Sequence, residues 1–196
     1  MKCENGEQVI EFFSKSERIK SDLELALENE KEWSQNVILR EWVPLHIKNE
    51  FRGFVYKNNL TALCQYYHHV FFQDLSDKKQ QYLNTIQKFF EQVKELFPKV
   101  LSSKFGNTNC SAVIDFVVDL EKDKCYIIEL NPFRDYEGNG TSSCMYDWEK
   151  DRALLFGESP FEFKIEEKKI ENLIQNVVKS VIWRELFIKV DKELGI

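Results

Sequence analysis

Two short apolar runs, separated by a few polar residues, stand out near the middle of the chain. Residues 111–120 have the sequence SAVIDFVVDL and residues 125–133 have the sequence CYIIELNPF. Both are rich in Val, Ile, Phe and Tyr, which favour strands, and the intervening residues 121–124 are polar. The pattern predicts two antiparallel strands joined by a tight turn.

Side chains alternate along a strand, so Glu129 and Asn131 share one face of the second strand. A register with Asp119 opposite Ile127 and Val117 opposite Glu129 brings these oxygens to one surface. Asp119 and Glu129 would then be diagonal neighbours, roughly 7 to 8 Å apart. Carboxylate and amide oxygens suit Mg²⁺, which completes its octahedron with substrate phosphates. The alternative is that these acids are solvated residues at strand ends, and a slip of one residue would abolish the site.

A hairpin is predicted before this region. Residues 50–56 (EFRGFVY) and 60–66 (LTALCQY) are strand-like and are separated by residues 57–59, which include two Asn that tolerate a left-handed turn. Arg52 lies among apolar neighbours, where a charge needs a partner. It either forms an ion pair with Glu50 or another acid, or donates parallel hydrogen bonds to a phosphate.

The clearest helical pattern covers residues 76–97. Apolar side chains recur there at intervals of three and four residues, which predicts one buried stripe. Ser76 or Asp77 is expected to cap this helix and Pro98 to end it. Residues 100–109 are expected to form a loop.

Four further segments have weaker patterns. Residues 36–42 (NVILREW) predict a buried strand, and residues 161–165 alternate like an edge strand. Ser21 or Asp22 is a candidate cap for a helix in the N-terminal region. Residues 166–194 are predicted to be helical, with apolar side chains on one side.

Composition narrows the class of protein. The 196 residues include 43% hydrophobic and 14% aromatic residues, so a folded core is expected. The formal net charge of −6 argues against general binding of nucleic acid or anionic membranes. Five cysteines without CxxC spacing indicate reduced thiols, and the absence of a long apolar run argues against a membrane span.

Several of these segments resemble a known family. Residues 127–132 (IIELNP), downstream of Asp119, resemble the metal-binding end of the ATP-grasp fold. The sequence NPF at 131–133, with DFV at 115–117, more specifically resembles the cell division cycle protein 123 family, in which the residue at Glu129 is more often Asp. The family pattern EFRxFV matches residues 50–55, and its LRKW is similar to LREW at residues 39–42.

This resemblance implies an α+β, ATP-grasp-like fold, with an antiparallel sheet, packed helices and two lobes around a nucleotide cleft. The expected organisation is one domain over 1–196, with a partial N-terminal lobe and hinge (1–45), a metal and nucleotide lobe (46–165) and a C-terminal helix (166–196). The implied ligands are ATP and magnesium. Main-chain groups of the hinge strand are expected to bind adenine, Arg52 to bind phosphate, and three side chains to bind the metal. The hinge residues are Ile38, Leu39, Arg40, Glu41 and Trp42, and the metal ligands are Asp119, Glu129 and Asn131.

The same resemblance implies an assembly factor rather than an enzyme. Family members bind the gamma subunit of translation initiation factor 2 in the eukaryotic cytoplasm and promote formation of its heterotrimer; neither nucleic acid nor membrane is an expected partner. The alternatives are an ATP-dependent carboxylate–amine ligase and a degenerate interaction module. This chain starts after the point where members carry further nucleotide-contacting lysines, so we expect either that the sequence is trimmed or that this is a shortened homologue with weakened nucleotide affinity.

Overall fold

The computed structural model describes residues 2–28, 37–42, 46–105, 109–134 and 142–168, and of residues 102–105 only the backbone. The chain divides into two compact units, Met1–Pro44 and Leu45–Ile196. No helix among the described residues is both long enough and apolar enough to cross a membrane.

The described part of the first unit contains two helices, α1 (Gly6–Lys15) and α2 (Glu17–Glu28). Helix α2 begins before the predicted caps Ser21 and Asp22, so that prediction is wrong. The hydroxyl of Ser16 accepts a hydrogen bond from a main-chain N–H at 3.3 Å and provides the earlier cap. Neither helix buries a side chain within the described residues.

Residues 37–42 do not form the predicted buried strand. They have no regular secondary structure, and Ile38 and Leu39 are 77% and 74% exposed. The described residues of this unit include no strand, so no ladder of hydrogen bonds within the unit holds the segment extended. An apolar run predicts a strand only where a sheet edge is available beside it.

The second unit is built on a five-stranded sheet in the order β4-β3-β1-β2-β5. All neighbouring pairs are antiparallel except β2 and β5, which are parallel. The strands are β1 (Glu50–Tyr56), β2 (Asn59–Gln65), β3 (Ala112–Asp119), β4 (Lys124–Pro132) and β5 (Glu162–Lys164). The prediction of an edge strand at 161–165 is confirmed, whereas the helix predicted over 166–194 lies almost wholly outside the described residues.

The predicted hairpin is confirmed as β1 and β2. Its connection is a two-residue turn in which Lys57 and Asn58 have φ angles of 49° and 64°. Positive φ at both central positions gives the twist that joins antiparallel strands tightly. The turn sets Tyr56 opposite Asn59, and a bulge at Thr61 then places Arg52 opposite Cys64.

The predicted strands β3 and β4 are confirmed, but their predicted register is wrong. Asp119 lies opposite Lys124, not Ile127, and Asp115 lies opposite Glu129. The register shifts after Asp115 because β4 carries one extra residue, Ile128, as a bulge. A bulge changes which residues share a face, and the alternation of apolar and polar residues alone does not reveal it.

Among the described residues of this unit, three helices lie on one face of the sheet and the last helix lies on the other. After a 3₁₀ turn (Ile47–Asn49), the helices are α3 (Gln73–Asp77), α4 (Lys79–Val93), α5 (Phe97–Phe105, preceded by a 3₁₀ turn at Lys94–Leu96) and α6 (Arg152–Leu155). The main core joins α4 to the sheet through the buried residues Phe51, Phe116, Ile86 and Phe90. A smaller cluster on the other face contains Phe54, Val113, Tyr146 and Leu155.

The helix predicted over 76–97 is real but is divided differently. Helix α4 begins at Lys79, and Lys78 before it makes no side-chain capping bond. Pro98 does not end the helical region; it lies in the first turn of α5, where a missing N–H costs nothing. The prediction of a loop over 100–109 is therefore wrong for residues 100–105, which belong to α5.

Gly53 of β1 lies in close contact with side chains of the two neighbouring strands. A Cβ at this position would lie 2.7 Å from Cε2 of Phe116 and 3.0 Å from Cδ1 of Leu60. We expect Gly53→Ala to lower the free energy of unfolding by about 1–3 kcal/mol, since overpacking forces buried rings to shift. Urea unfolding followed by circular dichroism measures this change. Gly6→Ala is the matched control, because no atom lies within 4 Å of its Cβ; equal stability of the two variants would contradict the packing argument.

Candidate functional site

A row of polar side chains crosses the sheet on the face opposite α4. Directly paired positions on the five strands are Lys164, Cys64, Arg52, Asp115 and Glu129. We call these five residues the polar row. Paired residues on neighbouring strands point to the same side, so the row forms a continuous line of functional groups.

Arg52 and Asp115 form a buried, two-point ion pair at the centre of this row. Nε and Nη2 of Arg52 donate to Oδ1 and Oδ2 of Asp115, each at 2.8 Å, and the residues are only 6% and 2% exposed. Nη1 of Arg52 donates to the carbonyl oxygen of Ser142 at 2.9 Å. Burial opposes the charge on Arg52, but the hydrogen bonds and charge of Asp115 outweigh it and raise the pKa of Arg52.

An aromatic ring completes the surroundings of the guanidinium. Cζ of Arg52 lies 4.9 Å from the centroid of the Tyr66 ring, within the range of a cation–π interaction. The predicted alternative of an ion pair with an acid is thus realised for Arg52. Its direct contact with phosphate stays a prediction.

Two polar side chains of β4 lie beside Asp115. Glu129 is directly opposite it and is exposed, and Asn131 lies two residues further along β4, opposite Val113. Nδ2 of Asn131 donates to Oδ2 of Asp115 at 3.3 Å, which orients the amide with Oδ1 as its acceptor end. The structure thereby brings together two of the three predicted metal ligands, Glu129 and Asn131, around Asp115.

Asp119 does not join this group. It lies four residues along β3 from Asp115, roughly 13 Å in the strand direction. Its carboxylate accepts hydrogen bonds from the main-chain N–H and the Nζ of Lys122, at 3.2 and 2.9 Å. The hydrogen bond from the Lys122 side chain lowers the pKa of Asp119. Asp119 was expected beside Glu129 because of the predicted register, and the observed register instead pairs Asp115 with Glu129.

The donor set suits a hard cation. Among the described residues, no group of three or more His, Cys, Asp or Glu could hold a metal ion. A metal at this place would therefore need the amide oxygen of Asn131 together with the carboxylates of Asp115 and Glu129. Two carboxylates and an amide are ligands that Mg²⁺ accepts when phosphates and waters supply the rest. The residues present fit that ion.

Negative charge is concentrated around the guanidinium of Arg52. Burial, and then the negative charge of Asp115, raise the pKa of Glu50 to about 7, while Arg52 and a hydrogen bond with Tyr67 act in the opposite direction. The charge of Glu129 raises it further. Three carboxyl groups, those of Glu50, Asp115 and Glu129, surround one guanidinium, and this excess of acidic groups favours the binding of a cation.

The remaining predicted residues lie in the first unit. Ile38, Leu39, Arg40, Glu41 and Trp42 are described without the strand geometry expected of a hinge. Their main-chain recognition of adenine stays a prediction.

Asp115 was missed as a site residue, although the sequence contained a signal for it. It is a lone acid inside the apolar run 112–118, and Arg52 is a lone base inside another strand-like run. Charges in the middle of buried strands need partners, so the two could have been paired with each other. The second signal, a spacing that places Asp115 opposite Glu129, depends on the bulge and was not readable.

Comparison with solved structures defines the class of fold. The structure of Cdc123 from Schizosaccharomyces pombe matches with a TM-score of 0.59 and 23% sequence identity, over 85% of this chain and 63% of that chain. A C-terminally truncated form of the same protein gives a TM-score of 0.60. The protein therefore has an α+β, ATP-grasp-like fold, as the family resemblance implied.

The family follows from the sequence comparison. The family model D123 matches residues 1–185, and the chain belongs to this family. Similar curated proteins named "Translation initiation factor eIF2 assembly protein" come from S. pombe (26% identical over 68% of this chain) and Xenopus laevis (32% over 61%). Another, from Dictyostelium discoideum, is 26% identical over 86% of this chain. The predicted cell division cycle protein 123 family is confirmed.

The matched regions cover only part of these relatives. They span 41%, 31% and 42% of the S. pombe, X. laevis and D. discoideum proteins. The chain thus corresponds to less than half the length of the curated relatives named here.

The buried ion pair gives a prediction about stability. Asp115→Asn keeps the shape of the side chain but leaves the charge of Arg52 without its carboxylate, and we expect the free energy of unfolding to fall by about 3–5 kcal/mol. Urea unfolding measures this loss. Asp123→Asn is the control, because its ion pair with Lys88 is exposed and of little energetic value. Similar midpoints for the two variants would mean that the charge of Arg52 is neutralised elsewhere.

Proposed function

We propose that this chain binds ATP with magnesium and acts as an assembly factor for translation initiation factor 2. The observation that carries the nucleotide part is the convergence of Asp115, Glu129 and Asn131 on one face beside Arg52. The assembly part rests on the names of the relatives. Both roles are the ones that the family resemblance implied.

In the proposed complex, Asp115, Glu129 and Asn131 would hold Mg²⁺, and the ion would screen the charge of the ATP phosphates. Arg52 fixes the carboxylate of Asp115 in place, because it grips both oxygens. A guanidinium has five N–H donors, and the bonds to Asp115 and Ser142 use three of them. The others are the groups with which Arg52 would contact a phosphate.

The proposed partner is the gamma subunit of the factor, and the proposed compartment is the eukaryotic cytoplasm. In this proposal the nucleotide is bound and not consumed, so the protein acts as a binding factor rather than as an enzyme. The net charge of −6 is consistent with a protein partner rather than a nucleic acid.

Calorimetric titration with ATP, with and without Mg²⁺, tests the nucleotide site. We expect binding that requires Mg²⁺ and weakens about tenfold or more in Glu129→Gln, because the exposed carboxylate is lost without disturbing the core. Asp119→Asn is the matched control on the same strand pair and should bind like the parent. Equal loss in both variants, or binding that is indifferent to Mg²⁺, would contradict the assigned ligand set.

Association with the purified gamma subunit tests the assembly role. We expect a stable complex on size-exclusion chromatography and no acceptor-dependent release of ADP from ATP. An unrelated GTPase of similar size serves as the control partner. Absence of a complex with the gamma subunit would reject the proposed partner, and ADP release that depends on an amine acceptor would instead indicate a ligase.

A further inference from the structure

A cluster of two cysteines and a histidine lies next to the polar row. Sγ of Cys144 is 3.2 Å from Nδ1 of His68, and 3.3 Å from the carbonyl oxygens of Gln65 and Tyr66. The side chain of Cys64, a member of the polar row, interacts with that of Cys144. We call Cys64, His68 and Cys144 the thiol cluster.

The two thiols have opposite environments. Burial, and then the hydrogen bond to Cys144, raise the pKa of Cys64, whose side chain is inaccessible. The hydrogen bond from Cys64 lowers the pKa of Cys144, and the bond from His68 and the charges of His68 and Arg52 add to this against the effect of burial. The hydrogen bond to Cys144 raises the pKa of His68. The lower pKa therefore belongs to the half-buried sulfur.

Ionisable groups on β1, on β2 and on the residues that follow β2 surround the thiol cluster. His68 and Tyr66 follow β2, Cys64 lies on β2 and Arg52 on β1. Tyr146, on the same segment as Cys144, has its pKa raised by burial and then by the charge of Cys64. Two of these groups, His68 and Arg52, carry or accept positive charge, which stabilises a thiolate.

The backbone holds Cys144 at this position. Its φ angle is +58°, which is uncommon for a residue other than glycine, and its N–H donates to Oγ of Ser142 at 3.2 Å. Two residues on, the hydroxyl of Tyr146 donates to the carbonyl oxygen of Leu63 at 2.8 Å. The segment is thus tied to β2, the strand that carries Cys64.

We propose that the thiol cluster is a redox-reactive site in which a hydroperoxide converts Cys144 and Cys64 to an intramolecular disulfide. Cys144 attacks as the thiolate, with its proton on Nδ1 of His68, and the O–O bond breaks to give the sulfenic acid and one hydroxide or alkoxide, which takes up the proton from His68. The thiol of Cys64 then displaces hydroxide from that sulfenic acid; the S–S bond forms, and the released proton and hydroxide make water. The two sulfurs are oxidised by two electrons in total, and the peroxide is reduced by two.

Several observations favour this reaction over metal binding. Among the described residues, no group of three or more Cys, His, Asp or Glu could hold a metal ion, and this includes the thiol cluster. A low-pKa thiol, a histidine and a second thiol within reach are the parts that thiol oxidation needs. The proposal does not depend on ATP or on the assembly partner.

Alkylation of the full chain by iodoacetamide, followed by peptide mass spectrometry from pH 5 to 9, tests the reactivity of Cys144. At pH 6 we expect Cys144 to react about tenfold faster relative to its own maximum than the exposed Cys3, because more of it is thiolate. His68→Asn should move the midpoint of the Cys144 profile to higher pH. A Cys144 profile that coincides with that of Cys3 would overturn the proposal, as would one that His68→Asn leaves unchanged.

Treatment with hydrogen peroxide tests the second step. We expect a disulfide between Cys64 and Cys144 that either Cys64→Ser or Cys144→Ser prevents, and that the control Cys3→Ser leaves intact. In Cys64→Ser, dimedone should trap the sulfenic acid on Cys144. The proposed disulfide would be rejected if peroxide treatment of the parent chain left both cysteines as thiols, or joined either one to Cys3 or Cys110. This result does not depend on the folding of any variant.

Discussion

The ion pair between Arg52 and Asp115 is the interaction on which the polar face of the sheet depends. A guanidinium and a carboxylate lose most of their hydration when buried, and only close, complete hydrogen bonding offsets that cost. The two residues lie directly opposite each other on β1 and β3. A slip of one residue in this register would separate the charges to opposite faces of the sheet. The pair therefore favours one register and, with it, the arrangement of every neighbouring side chain.

The bulge in β4 solves a conflict that the sequence of this strand creates. Cys125, Ile127, Glu129 and Asn131 are alternate residues and would share one face of a regular strand. The structure instead packs Cys125 and Ile127 into the main core and turns Glu129 and Asn131 to the opposite face. One extra residue, Ile128, makes both arrangements possible. A bulge beside a candidate site thus aims the polar side chains at Asp115 without exposing the apolar ones.

The sequence predicted the elements whose signals are local. The hairpin was readable from two strand-like runs around an Asn-containing turn, and the edge strand β5 from its alternation. The register of β3 and β4 was not readable, because it depends on the bulge at Ile128 and on a turn closed by Asp119. The strand predicted at residues 36–42 was wrong for a related reason. A strand needs a neighbouring strand, and an apolar run does not show whether one is present. Asp115 was overlooked because its importance comes from contacts with β1 and β4 together.

Arg52 also connects the two chemical regions of the polar row. On one side it holds Asp115, which adjoins Glu129 and Asn131; on the other its Nη1 binds the carbonyl oxygen of Ser142, two residues before Cys144. The guanidinium is planar and rigid, so its bonds to Asp115 and to Ser142 cannot be adjusted independently. A change in the position of the segment that carries Ser142 and Cys144 would therefore alter how tightly Arg52 grips Asp115. Because Asp115 is the carboxylate shared by the ion pair and the proposed metal site, a covalent bond at Cys144 would act on the affinity for the cation through one side chain.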